Sequence, residues 1–246
     1  MESANIALLL ASGIVGCLIG TVGIGGILLI PVLIGLAGLT PHQASATALF
    51  TFIFTGVLGT VLYQRKRSID WRQTRVVCAG AIIFSYLGAV ASSFVDGIIL
   101  VRVIALLIFF AGLYIFIPEK TSIAGPVVFR RNTLIVIGAA AGFGSGFSGA
   151  GGPLFSVPLM VIAGFSPLSA IGTSQVLQFF SAASGTLANL RFGDIYWPLV
   201  VVVTFAELFG VLFGTAIAHA VSGLVLKRLA SALCLIVGAR LLFVAV

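Results

Sequence analysis

The sequence predicts an all-α polytopic membrane protein built from two homologous repeats. Three observations point there. Hydrophobic residues make up 60% of the 246 positions and charged residues 8%, with mean hydropathy +1.26; a soluble chain carries about 25% charged residues. Residues 3–64 and 132–190 hold no Asp, Glu, Lys or Arg. A crossing helix needs roughly 20 apolar residues, so each run has room for two or three crossings. Finally, residues 16–71 recur at 142–197, an offset of 126, with 18 of 56 positions identical.

The matches include Gly20/Gly146, Gly23/Gly149, Gly25/Gly151, Gly26/Gly152, Pro41/Pro167, Thr47/Thr173, Arg65/Arg191 and Trp71/Trp197. Each half reads as four apolar blocks, at 4–39, 44–63, 76–95 and 98–117, then at 133–164, 170–190, 198–218 and 224–246. The division is therefore an N-terminal repeat at 1–118, a linker at 119–131 and a C-terminal repeat at 132–246. The N-terminus lacks the basic residues of a cleavable signal, and its apolar sequence runs on well beyond a signal's length.

The first block of each half is too long for one helix, and glycine-rich runs at 20–26 and 142–153 cut it. Gly with Pro31 and Pro158 close behind disfavours a continuous helix. Each such block reads as two short helices meeting near the membrane interior. Broken backbone at that depth is tolerated where it is buried in protein or lines a watery cavity. If each broken block crosses once, the halves are parallel and nine of the thirteen Lys/Arg share a side; if it re-enters, they are inverted and ten do. Both satisfy the positive-inside rule. Inverted repeats are preferred here because they suit alternating access around a central site.

The paired breaks carry the chemistry. Backbone amides at a half-helix N-terminus, with the helix dipole, can hold an anion without a fixed charge. Gly23, Gly25 and Gly26, with Gly149, Gly151 and Gly152, are the candidate lining of such a site, and Ser148 adds a hydroxyl. Tight helix packing is the competing role for these glycines. Thr47 and its counterpart Thr173 follow, with Ser174, Gln175 and Gln178 as further neutral donors or as interhelical hydrogen-bond partners. Glu207 is the one acidic residue within a predicted span, which makes it the candidate for proton coupling. The formal charge of +7 sits at segment ends, where it meets lipid headgroups, so nucleic acid is not an expected partner. Cys17, Cys78 and Cys234 form no CxxC pair, and neither a metal site nor a cofactor is expected.

The paired breaks, the Thr/Ser-Pro turns at 40–41 and 166–167, and the closing runs at 63–71 and 189–197 resemble the TauE/SafE sulfite exporter family (DUF81, YfcA-like). The resemblance implies a multi-pass protein of the bacterial inner membrane that moves a small anion such as sulfite or an organosulfonate, generally outward. It leaves import or export, the coupling ion and assembly as a homo-oligomer open. Two rival readings compete with a carrier. Gly146 to Gly149 spells the GxSG of a rhomboid-like intramembrane protease, with Ser148 as nucleophile and His219 as base. The counterpart run at 20–23 keeps both glycines and lacks the serine, so the glycines have a purpose apart from catalysis. A passive anion channel is the second rival. An ATP-driven pump is excluded on this chain alone by the lack of a phosphate-binding Gly-x-x-x-x-Gly-Lys-Ser/Thr loop.

Overall fold

The computed structural model describes residues 2–23, 25–116 and 131–220, with isolated positions beyond. The predicted linker at 119–131, apart from Arg131, and nearly all of the predicted last block lie outside the described residues. Among those residues the fold is all helical, without strands. The helices are α1 (Glu2–Val22), α2 (Leu29–Ala37) after a 3-10 turn (Gly25–Leu28), α3 (Pro41–Arg65), α4 (Trp71–Ser93) and α5 (Gly97–Phe116). In the second half they are α6 (Arg131–Ser148), α7 (Pro153–Ile162), α8 (Pro167–Phe192) and α9 (Trp197–Ala220). Three of them, α3, α4 and α9, are long and apolar enough to cross a membrane by length and composition. On α9, Phe205, Phe209 and Phe213 are 60%, 62% and 68% exposed, a one-sided apolar stripe suited to acyl chains.

Local chemistry sets the boundaries. Thr40 caps α3 in a reciprocal box with Gln43, and Ser166 caps α8 through the Ser169 amide; a proline opens each helix. Asp70 caps α4 by accepting from the Arg72 and Gln73 amides. Gly38 and Gly164, 126 apart, stand in the left-handed region just past α2 and α7, where a side chain would be strained. The first block of each half departs from its expected form: instead of two short helices, α1 runs 21 residues before the break and α2 only nine. Gly13, Gly16 and Gly20 do not interrupt α1 because it is packed along its length on α9.

That packing crosses between the halves. Gly16 lies against the backbone of Glu207, and Gly142 against the backbone of Ala81, the position 126 before it. Gly20 meets Val211 as Gly146 meets Ser85, and Gly214 meets Cys17 as Gly88 meets Phe143. Residue numbers rise together in both pairs, so α1 runs parallel to α9 and α6 parallel to α4. Along α3 and α8 they run oppositely: Leu49 faces Gly185, Gly56 faces Phe179 and Gly59 faces Gln175. Helices α3 and α8, related by the 126-residue offset, are thus antiparallel. Arg65, Lys66, Arg67, Arg72 and Arg75 at the α3–α4 turn fall at the same end as Arg131, which opens α6. Arg191, closing α8, falls at the other end.

Candidate functional site

Both breaks are made by helix termination, not by proline. Helix α1 ends at Gly23, φ +78°, whose amide donates to the Leu18 and Ile19 carbonyls. Helix α6 ends at Gly149, φ +69°, whose amide donates to the Ser145 carbonyl at 2.9 Å. Left-handed glycine closes a helix this way at little steric cost. Gly151, φ +83°, turns the chain into α7, whose first turn no side chain caps. Pro31 and Pro158 lie within α2 and α7.

The two breaks meet. A methyl group on Gly26 would stand 2.8 Å from the Ala150 carbonyl and 3.0 Å from the Phe52 ring. One on Gly151 would stand 3.3 Å from the same ring. Gly23 faces Val157, Pro153 and the Ser174 hydroxyl of the other half, and Gly149 rests on Ser45. Gly152 packs on Leu177, and Gly25 folds back on Val15 and Leu18 of its own half. Phe52 stands midway along α3, beside the α3–α8 crossing, and is fully buried. Sequence reasoning did not single it out, since one Phe among twenty carries no signal before the pairing of the halves is known.

The polar candidates divide. Gln178 Nε2 donates to Thr55 Oγ1 at 2.8 Å across the α3–α8 crossing, and Gln175 Nε2 to the Ile19 carbonyl at 3.0 Å. Gln175 Oε1 is buried without a hydrogen bond, and so is Ser156 Oγ one turn into α7. These groups lie on the elements around the breaks. Ser174 turns its proton back to the Ile171 carbonyl at 2.7 Å. Thr47 lies elsewhere, accepting from the Tyr196 amide at 2.9 Å. Thr173 meets the Thr74 hydroxyl at 3.1 Å. Both threonines brace the junction that precedes α4 or α9.

Over residues 8–241 the chain matches the family model described as sulfite exporter TauE/SafE. The chain belongs to the TauE/SafE family. Its relatives include the probable membrane transporter protein YdhB of Bacillus subtilis, 26% identical over 96% of this chain and 99% of that one. YunE of the same organism, also a probable membrane transporter protein, is 24% identical over 95% and 94%. YfcA of Escherichia coli K12, described in the same words, is 22% identical over 90% and 83%. No solved structure matches the chain.

For a TauE/SafE transporter the protease dyad has no geometry to rest on. Ser148 Oγ donates to the Gly144 carbonyl at 2.6 Å and accepts from the Ala150 amide at 3.2 Å, so it caps the end of α6. His219 Nδ1 lies 2.8 Å from the Thr215 carbonyl, and its ring sits 5.2 Å from that of Tyr63. No hydrogen bond joins Ser148 to His219. Glu207 is apart from the breaks as well, fully buried in the apolar cluster between α1, α3 and α9.

Proposed function

We propose that the chain is a secondary carrier exporting a small anion of the sulfite or organosulfonate class. The halves rock about a site between the two glycine breaks, opening it to either side in turn. The observation that carries this reading is the direct meeting of one break from each half over Phe52. Equivalent helices running in opposite directions supply the inverted arrangement that exchanges the two faces of such a site. The family description supplies the substrate class.

In the conformation described, protein atoms pack against every glycine of the two breaks, so it corresponds to a closed state. Separation of the breaks would uncover the amides of residues 151 and 152 and the first turn of α7. Ser156, whose hydroxyl is unpaired, is free to donate to the anion, and the Gln175 amide becomes available once it leaves the Ile19 carbonyl. Neutral donors suit a carrier, since a fixed cation would hold the anion too tightly to release it.

Gly151→Ala tests the assignment. Its φ is strained for alanine and the added methyl presses at 3.3 Å on the Phe52 ring, a side chain that needs to give only a few tenths of an ångström, so the protein should still fold. Sulfite flux into proteoliposomes should fall at least about ten-fold, the equivalent of roughly 1.4 kcal/mol. Unchanged flux in this variant places the anion elsewhere. Flux that never accelerates under an imposed ion gradient identifies a passive channel instead.

A further inference from the structure

The carboxyl of Glu207 is the most costly group in the described interior. It is fully buried, and neither oxygen has a hydrogen-bond partner. The Thr51 hydroxyl on α3 stands within reach of the carboxyl, while its 2.9 Å bond to the Ala48 carbonyl competes for the same proton. Thr204 lies one turn before Glu207 on the same face of α9, 8% exposed, with Oγ1 unpaired. Ser12 on α1 is fully buried with Oγ unpaired.

Ser12 can be placed from the α1–α9 contacts themselves. Gly13 faces Ala206 and Gly16 faces Glu207, so Ser12, one turn before Gly16 on the parallel α1, lies near the level of Thr204. Helix side chains lean towards the N-terminus, so Glu207 reaches back towards that level. Two carboxyl oxygens and the hydroxyls of Thr51, Thr204 and Ser12 therefore stand at about one level on three packed helices. No Lys or Arg lies on the described parts of α1 or α9, and Arg65 closes α3 at its basic end.

We propose that this pocket binds a monovalent metal cation, sodium by size and hardness. A proton would neutralise the carboxyl and let its O–H donate to one hydroxyl, but the other oxygen lone pairs would gain nothing from it. A hard cation satisfies all of them at once, because it takes oxygen lone pairs. One carboxylate balances one positive charge, whereas a calcium site gathers more oxygens and commonly several carboxylates. The equivalent pocket holds Gly138, Leu177, Cys78 and Ala81, none of them an oxygen side chain, so the site occurs once per chain. The proposal adds a coupling ion to the carrier reading but does not rest on it, since cation binding is measured without transport.

The test is the melting temperature of the purified full-length protein in NaCl against choline chloride at equal ionic strength and fixed pH. Sodium should raise it saturably in the wild type and leave Glu207→Gln unmoved. Ser12→Ala and Thr204→Val, which keep the carboxylate, should each weaken the apparent sodium affinity at least ten-fold; they carry the test if Glu207→Gln does not fold. Equal responses to sodium and choline in the wild type overturn the proposal. So does a response to pH alone, which marks a proton site, or a sodium effect that survives in Glu207→Gln. A chain that binds sodium but moves no anion defeats the carrier reading and leaves this one standing.

Discussion

The α1–α9 and α4–α6 crossings share one register and are filled with opposite chemistry. Each packs glycine on backbone: Gly16 on Glu207 and Gly20 on Val211 in one, Gly142 on Ala81 and Gly146 on Ser85 in the other. Around the first lie Ser12, Thr204 and Glu207 with unpaired oxygens. Around the second, the buried serines are satisfied: Ser85 donates to the Ser181 carbonyl at 2.7 Å, and the Ser145 and Ser181 hydroxyls meet at 3.2 Å. Backbone packing therefore keeps the pseudosymmetry while side chains break it. A protein that held such a carboxyl for stability alone would gain by hydrogen-bonding it. Leaving it unpaired in a membrane interior points to a working group.

Transplanting the carboxyl should have the largest effect. Ala81→Glu puts the acid where the neighbours are Cys78, Leu177 and Gly138, with no oxygen to share a cation. A loss on the order of 3 kcal/mol is expected, seen as loss of the monodisperse peak in detergent. A variant that folds as well as the wild type would mean that the two crossings differ less than their side chains suggest.

Next come Gly16→Val and Gly142→Val, which press new methyl groups onto immovable backbone at equivalent places. Each should cost about 2 kcal/mol by overpacking, so their melting temperatures should fall by similar amounts. Only Gly16→Val displaces Glu207, so only it should also abolish the sodium response. A response lost equally in both variants would place the cation elsewhere.

Much of this was legible in the chain. The 126-residue spacing and the glycine runs located both breaks, because left-handed termination leaves a glycine at fixed positions such as Gly23 and Gly149. The Thr40-Pro41 and Ser166-Pro167 turns marked the starts of α3 and α8. Gly16 and Gly20 suit helix packing better than a break, and their close contact with α9 inside α1 agrees with that reading. Glu207 stood out alone, while Ser12, Thr51 and Thr204 carried no signal: they sit on three helices drawn from both halves. Their convergence exists only once α1 is known to pair with α9.

The smallest effect concerns Thr47 and Thr173, equivalent in sequence and singled out as lining for the anion. Thr47 instead ties α3 to the junction before α9, and Thr173 ties α8 to the first turn of α4. Thr47 accepts from the Tyr196 amide; Thr173 meets Thr74, whose proton is spent on the Asp70 carbonyl at 2.7 Å. Tyr196 and Asp70 are 126 apart, so the two threonines brace corresponding places at opposite ends of the bundle, Thr47 directly and Thr173 through Thr74. Thr47→Val and Thr173→Val preserve shape and remove one hydrogen bond each, worth about 1 kcal/mol. Both variants should melt slightly earlier and carry anion within about two-fold of wild type. A ten-fold drop in flux at unchanged melting temperature would return that threonine to the anion path, and a drop in only one would show that the breaks are used unequally.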